Sequence, residues 1–337
     1  MWASKITIEK VEPAARDRLS TFESTFQSPF WAKVKEFVGW THLFFSLKEG
    51  EDERLLLVLV KKLPFNVFIA YVPYGPPLFF EEDFLNEYLD FVSTEIRKYL
   101  PKTTLFIRYD LPWGSFDKNL NESDTLNFCS HSIQPEATIV LNLSKGYEKV
   151  RSSYKKRNLR HIQKCEKEQL FVKEWDKEEN SFSSWYSIYL ENGRMGNFSC
   201  RSAAYLKNMF SVSDDNNKAK LFLAYLGEEI VGGIVVIFNL SEATYLFGAT
   251  VKELNISVAY ALQDYVIRVL CQDNVAQYNL MGIAGPKDHF ASLKGVTFFK
   301  ESFGGIALYR KPTVDYKYRK MLYCCFVLIE KLKNCFH

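Results

Sequence analysis

The sequence lacks the patterns of several common protein classes. Its seven cysteines include no C-x-x-C pair and its five histidines form no H-E-x-x-H spacing, so neither a metal site nor a disulfide framework is expected. The amino-terminal segment has no apolar core of a signal peptide. The longest apolar run near the end, at 321–329, is far shorter than the roughly 20 residues that cross a bilayer. We therefore expect a cytoplasmic protein with reduced thiols.

Positive charge is concentrated in one segment, although the formal net charge of the chain is only +3. Nine of the 25 residues at 144–168 are lysine or arginine, and this segment follows an apolar, strand-like run at 138–143. Such a cluster is typical of a surface that binds a phosphate-rich partner, because neutralised phosphates release condensed counterions. A solvated helix face is the other interpretation of a charge run.

Two stretches of the chain have similar predicted orders of elements, in which strands are followed by a helix and one more strand. The first has strands at 55–61 and 67–72, a helix at 81–100 and a strand at 104–110. The second has strands at 221–225, 230–238 and 243–248, a helix at 255–271 and a strand at 277–281. The repetition predicts an α/β (α+β) chain with two tandem acyl-CoA N-acyltransferase-like (GNAT-like) domains, each a mixed sheet flanked by helices. We expect domain 1 at 1–139, completed by 307–337, and domain 2 at 140–306; a single α/β domain with similar segments is the alternative.

The sequence lacks the glycine-rich loop that usually forms the coenzyme A site of that fold. Acyl-CoA enzymes of this fold carry a glycine-rich loop before a helix, whose bare amides bind the pyrophosphate. Here the corresponding segment, 249–260, contains no glycine, and in the first half Pro76 and Pro77 remove backbone donors. The sequence therefore predicts acyl transfer from a donor other than coenzyme A, with no dissociable cofactor.

Seven segments in a fixed order carry a family resemblance. They lie at 28–40, 107–112, 133–144, 156–170, 200–206, 278–282 and 298–305. Together they resemble the FemAB family of peptidoglycan bridge-forming aminoacyltransferases, in the shorter, FemX-like form without a coiled-coil arm. The resemblance implies transfer of an amino acid from aminoacyl-tRNA to a stem-peptide side-chain amine. The acceptor would be UDP-MurNAc-pentapeptide or lipid II, and the enzyme is expected to be a monomer.

The resemblance assigns substrate contacts to three residues. Lys35 matches a lysine that contacts the diphosphate of the nucleotide-linked sugar, and Arg201 and Tyr205 match an Arg–Tyr pair that binds the same substrate. At a spacing of four residues, Arg201 and Tyr205 would share one face of a helix. An exposed helix lysine and a helix amino terminus with a partly buried tyrosine are the structural alternatives.

Further matches lie near the expected reaction centre. Asp110 is a candidate general base for the acceptor amine, or else a cap of the following turn. Lys300 would stabilise the oxyanion that forms when the amine attacks the ester, or orient the terminal adenosine of the tRNA with Phe299 stacked on a base. A core aromatic and a surface cation are the structural alternatives. Gly304 and Gly305 predict a turn that needs positive φ.

Two positions depart from the family pattern. Phe247 stands where the family has a tyrosine, so a hydroxyl of the substrate site is lost. Tyr245, two residues earlier and expected on the same face of the strand, is a candidate to replace it. In segment 278–282 the family has an aspartate and a glycine, where this chain has Asn279 and Met281. These changes put the exact substrate contacts in question.

Two basic regions remain to be assigned. Within segment 144–168, the residues Lys155, Lys156, Arg157 and Arg160 are predicted to contact the acceptor stem of tRNA, chiefly by backbone and shape. The terminal segment 316–337 alternates basic and apolar residues. It is predicted to dock on domain 1 as a helix, and a helix at the inner surface of the cytoplasmic membrane is the alternative.

Two rival functions share the same fold. One is an acyl-CoA-dependent N-acyltransferase of a small amine, against which the missing glycine loop argues. The other is a non-catalytic relative that binds tRNA or a cell-wall precursor, for which the changes at Phe247 and Asn279 leave room.

Overall fold

The chain forms two compact units. The computed structural model describes residues 5–12, 24–79, 84–129, 132–213, 217–239, 241–285 and 293–335. Unit 1 comprises Met1–Glu136 together with Tyr309–His337, and unit 2 comprises Ala137–Leu308.

Unit 1 is a seven-stranded mixed sheet with three helices among its described residues. Its strands are β1 (Ile6–Lys10), β2 (Trp40–Glu49), β3 (Asp52–Leu63), β4 (Val67–Val72), β5 (Thr104–Tyr109), β6 (Leu126–Phe128) and β14 (Val314–Lys317). Its helices are α1 (Pro29–Glu36), α2 (Leu85–Ile96) and α9 (Lys320–Cys335). The strand order is β1-β2-β3-β4-β5-β14-β6, and β4 and β5 run parallel.

Local sequence explains how two of these helices form. Ser28 caps α1 by accepting a hydrogen bond from the Trp31 amide, and Pro29 occupies the first helical position. The apolar residues of α2 recur every three or four positions, and Leu85, Leu89 and Val92 are fully buried against the sheet. The predicted start of this helix at 81–83 lies outside the described residues, and its last turn is a 3₁₀ turn at Arg97–Tyr99.

The carboxy-terminal segment is part of the unit 1 core. Strand β14 lies between β5 and β6, and Arg108 on β5 forms a bidentate ion pair with Asp315 on β14 at 2.8 and 2.9 Å. Helix α9 packs Phe326 on Phe106 with ring centroids 5.0 Å apart, and its Glu330 also binds Arg108. Helix α9 therefore packs on the core of unit 1 in the structure.

Unit 2 has a second seven-stranded mixed sheet. Its strands are β7 (Ala137–Asn142), β8 (Phe171–Glu174), β9 (Lys218–Leu226), β10 (Glu229–Phe238), β11 (Glu242–Thr250), β12 (Gln277–Asn279) and β13 (Ile306–Tyr309). Its helices are α3 (Tyr147–Ser152), α4 (Lys156–Lys167), α5 (Glu179–Gly196), α6 (Ala203–Ser211), α7 (Val258–Gln272) and α8 (Lys294–Glu301). The strand order is β13-β7-β12-β11-β10-β9-β8, and β11 and β12 run parallel.

Both units contain the same core. In unit 1 it is β2-β3-β4-α2-β5 and in unit 2 it is β9-β10-β11-α7-β12, each with antiparallel strands followed by a helical crossover to a parallel strand. The predicted fold of two GNAT-like domains is confirmed. Helix α7 starts at Val258, three residues later than predicted.

None of the helices in the described part of the chain is both long and apolar enough to span a bilayer.

Candidate functional site

A β-bulge in unit 2 separates two residues that the sequence pattern places together. The register of β10 and β11 shifts between Val235 and Val236, so Val235 pairs with Phe247 and Val236 pairs with Tyr245. The extra residue reverses the alternation of side chains, which puts Tyr245 and Phe247 on opposite faces. The prediction that Tyr245 shares a face with Phe247 is therefore wrong, and Tyr245 does not supply the hydroxyl that Phe247 lacks.

Lys300, on helix α8, has a buried side chain. Its side chain Nζ donates to the carbonyl oxygens of Met281 at 2.5 Å and Gly282 at 2.8 Å, and lies 5.6 Å from the ring centroid of Tyr245. The residue is only 6% exposed, so its interpretation as a surface cation is wrong. Burial lowers the pKa of Lys300 to about 7, because an ammonium group loses its hydration there.

Gly248 leaves space for the side chain of Tyr245. A side-chain carbon at Gly248 would overlap the Tyr245 hydroxyl and would lie 3.0 Å from Ile234 Cγ2. Glycine at this position therefore leaves room for the tyrosine ring beneath the Lys300 ammonium.

We expect Gly248→Ala to destabilise unit 2 by about 1–3 kcal/mol, because the added methyl group overpacks this site. Thermal unfolding measures the effect. In the Gly248→Ala/Tyr245→Phe double variant, removal of the overlapping hydroxyl should restore part of the lost stability, because the ring carbon that carried it still lies 2.9 Å from the added methyl group. Equal unfolding temperatures for the wild type and Gly248→Ala would contradict the arrangement.

The residues next to Lys300 have different environments. Phe299 is half-buried and packs edge-on against Tyr260 and Phe303 at centroid distances of 4.9 and 5.3 Å. Its neighbour Phe298 is 47% exposed, and the Arg157 guanidinium lies 4.5 Å from its ring centroid. Phe298, which sequence reasoning missed, is therefore more available than Phe299 for stacking on a base.

The turn after α8 matches its prediction. Gly304 and Gly305 have φ values of +81° and +86°, so the predicted need for positive φ is confirmed. A side chain at Gly305 would also approach the Val140 carbonyl oxygen at 2.6 Å.

Arg201 and Tyr205 belong to a second cluster in unit 2. Arg201 precedes α6 rather than lying within it, because Ser202 caps the helix and the helix begins at Ala203. The Arg201 guanidinium still stacks on the Tyr205 ring at 5.5 Å, and its amide donates to the Tyr189 hydroxyl at 3.2 Å. Phe247 packs against the same Tyr189, with ring centroids 6.0 Å apart.

Asn279 has a clear structural role. Its side-chain oxygen accepts hydrogen bonds from the Thr138 hydroxyl at 2.5 Å and from the Met281 amide at 2.8 Å. Met281 adopts φ +54°, and its carbonyl oxygen is an acceptor for Lys300. The departure at Asn279 therefore shapes the backbone that binds Lys300.

In unit 1, Lys35 lies on α1 with its Nζ 4.6 Å from the ring centroid of Trp31. The lysine is partly exposed and Trp31 is buried. This cation–π contact favours one direction for the Lys35 ammonium group.

Asp110 is fully buried in unit 1 and accepts from three side chains. The donors are Tyr71 at 2.5 Å, Arg310 at 3.0 Å and the hydroxyl of Thr313. Its side chain therefore binds these groups instead of capping the turn at 111–113. Burial and the adjacent carboxylate raise the pKa of Tyr71 well above its ordinary value, so Tyr71 stays protonated and donates. This arrangement favours a structural role for Asp110 in joining the carboxy-terminal segment to β5.

The predicted tRNA-contacting cations lie at the start of α4. Lys155, Lys156, Arg157 and Arg160 are all exposed. Lys155 forms an ion pair with Glu301 at 3.3 Å, and Arg157 donates to His161 at 3.3 Å. The helix therefore presents cations to solvent beside the exposed ring of Phe298.

The chain is similar to known proteins in sequence and in fold. Residues 227–331 match the model of the FemAB family. The resemblance to the FemAB family is confirmed. Two curated relatives are lipid II:glycine glycyltransferases of Staphylococcus aureus, from strains bovine RF122 / ET3-1 and COL. The first is 23% identical to this chain over 208 residues, and the second is 23% identical over 211 residues. Each alignment covers 58% of this chain and 49% of the relative, so the chain spans about half the length of the curated relatives it matches.

A solved structure shows the same fold over nearly the whole chain. The crystal structure of FemX superposes with a TM-score of 0.77 and 17% sequence identity. The match covers 95% of this chain and 100% of FemX. At this level of identity the likeness establishes the tandem fold alone.

Proposed function

We propose that this protein is an aminoacyltransferase that moves an amino acid from aminoacyl-tRNA to a peptidoglycan precursor. The acceptor is the side-chain amine of the diamino acid in the stem peptide, and the product is the start of an interpeptide bridge. The FemAB match and the similarity to lipid II:glycine glycyltransferases support this proposal. The single observation that carries it is the buried Lys300 side chain, which donates hydrogen bonds to two backbone carbonyl oxygens.

In the proposed reaction, the acceptor amine attacks the ester carbonyl carbon and the carbonyl oxygen becomes an oxyanion. Two N–H groups of the Lys300 ammonium donate to Met281 and Gly282, which fixes the direction of the third. We assign the third N–H to the oxyanion, where a fixed donor in a water-poor site stabilises the transition state. Attack forms the C–N bond, and collapse of the intermediate breaks the ester C–O bond. The proton that the attacking nitrogen gives up is taken up by the departing ribose oxygen of the tRNA, directly or through water, which leaves an amide and a free ribose hydroxyl.

The donor tRNA is assigned to the basic surface of unit 2. The exposed cations of α4 suit contacts with the phosphates of the acceptor stem, and Phe298 offers a ring for a terminal base. The absence of glycine from segment 249–260 supports a tRNA ester rather than coenzyme A as the acyl donor.

The phosphates of the precursor are assigned, each as a separate proposal, to Lys35 and Arg201. We expect Lys35→Gln and Arg201→Lys each to raise KM for the nucleotide-linked acceptor about tenfold. The first variant loses a charge-assisted hydrogen bond to the substrate, and the second loses the pair of parallel hydrogen bonds that a guanidinium makes with a phosphate. The value of kcat should stay within about threefold. Steady-state kinetics measure both constants, and Lys33→Gln on the same helix is the control. A fall in kcat at unchanged KM would contradict this assignment.

The pH profile tests the protonation state of Lys300. Below about pH 7, kcat/KM should rise tenfold per pH unit, because the free acceptor amine loses its proton. Above pH 7 it should level off, because the Lys300 ammonium, whose pKa is lowered to about 7, is lost at the same rate. In Lys300→Arg the cation persists, so the rise should continue above pH 7 at a lower absolute rate. A steady rise of the wild type through this region would show that the ammonium is not required.

The proposed function is tested with a set of charged tRNAs. Purified protein should transfer a labelled amino acid to UDP-MurNAc-pentapeptide or lipid II from at least one of them. No transfer from the full set to either acceptor, with tight coenzyme A binding in calorimetry, would instead favour acyl-CoA chemistry.

A further inference from the structure

Helix α9 has two apolar faces, and among the residues that the structure describes only one of them packs on the rest of unit 1. Tyr323, Phe326 and Val327 pack on the unit 1 core. The opposite side, here called the α9 outer face, consists of Met321, Cys325, Leu328 and Ile329, which recur at helical spacing. Met321 is 83% exposed, Leu328 62% and Ile329 55%.

A second element places a large apolar side chain at the start of α9. Phe65, in the turn between β3 and β4, is 98% exposed. Its neighbour Asn66 accepts a hydrogen bond from Thr103 at 2.7 Å, and Arg319 donates to the Lys102 carbonyl oxygen at 2.9 Å. These bonds hold the turn, the start of β5 and the start of α9 together at one end of the unit 1 sheet.

Several exposed cations lie on α9 or in the segments next to Phe65 and to the start of α9. These are Lys62, Lys102, Arg319, Lys320 and Lys331. Lys320 and Lys331 are about three turns apart on one flank of α9. Two carboxylates of this region are paired with cations, because Glu330 binds Arg108 and Asp124 lies 3.4 Å from Lys320.

We propose that the α9 outer face and Phe65 bind the surface of an anionic lipid bilayer. Apolar side chains that protrude from two elements, rather than lining a groove, can enter the acyl-chain boundary while flanking lysines reach the headgroups. Negative lipid headgroups complement these cations. This inference goes beyond the proposed function and does not depend on it.

Co-sedimentation of the full chain with vesicles tests the proposal. The protein should sediment with phosphatidylglycerol–phosphatidylcholine vesicles and much less with phosphatidylcholine alone, and added salt should weaken binding. The Met321→Gln/Leu328→Gln/Ile329→Gln variant should bind at least about tenfold less tightly. A matched triple variant of exposed unit 2 residues, Leu190→Gln/Met195→Gln/Ile306→Gln, should bind like the wild type.

Two further variants separate the contributions. Phe65→Asn should reduce binding without affecting the fold, because Asn tolerates the positive φ of this position. Lys102→Gln/Lys331→Gln should reduce binding to anionic vesicles only. The proposal is overturned if the wild type does not sediment with anionic vesicles, if the α9 triple variant binds as well as the wild type, or if light scattering shows a dimer that the triple variant abolishes. Transfer to the soluble nucleotide-linked acceptor should be unchanged throughout, which separates this test from that of the proposed function.

Discussion

Replacing Lys300 by methionine is expected to slow aminoacyl transfer by about 10²–10³-fold, the usual effect of removing one oxyanion donor. Methionine has nearly the length of lysine and suits a buried position, so the fold should persist. The ester would still bind, but the developing negative charge would lose its donor. Single-turnover measurements with charged tRNA and excess precursor report this step directly.

The matched control for that experiment lies on the same helix. Lys294, the first residue of α8, is exposed, and Lys294→Met should change the rate by less than about threefold. Circular dichroism should be unchanged in both variants. A Lys300→Met enzyme that transfers as fast as Lys294→Met would remove Lys300 from the reaction.

Asp110→Asn is expected to destabilise unit 1 by about 3–5 kcal/mol, because it leaves the Arg310 guanidinium buried without its carboxylate. Arg310 and Asp110 both lie in the interior, so water cannot compensate for the lost charge. Urea denaturation, followed by a probe in each unit, measures the effect.

Two comparisons identify the cause of that destabilisation. Asp110→Asn/Arg310→Met should cost less than the sum of its single variants, because the pair is removed together. Asp52→Asn, which breaks an exposed pair with Arg54, should cost less than about 1 kcal/mol. If Asp110→Asn instead lowered kcat at unchanged stability, Asp110 would be a general base after all.

Local patterns predicted most of the repeated core. Apolar spacing within short windows predicts β3, β4, β5 and α2 in unit 1 and β9 to β12 and α7 in unit 2, whereas β2 was not predicted. The glycine pair at 304–305 follows from the conformations that glycine permits. The family resemblance then selected candidate residues such as Lys300 and Arg201.

Long-range and single-residue effects could not be predicted in the same way. Asp110 and Arg310 are 200 positions apart, and no local pattern indicates that they meet. The bulge in β11 adds one residue without any change in composition, yet it separates Tyr245 from Phe247. Similarly, only the folded arrangement shows that Phe298 is exposed whereas Phe299 packs between aromatic rings.

The most direct test of the account is the position of the transferred amino acid on the acceptor. After incubation with charged tRNA and precursor, tandem mass spectrometry should show one or more aminoacyl residues on the side-chain amine of the stem-peptide diamino acid. The product should be absent with uncharged tRNA and strongly reduced with Lys300→Met. A precursor of unchanged mass, or an acyl group that comes from coenzyme A, would contradict the account.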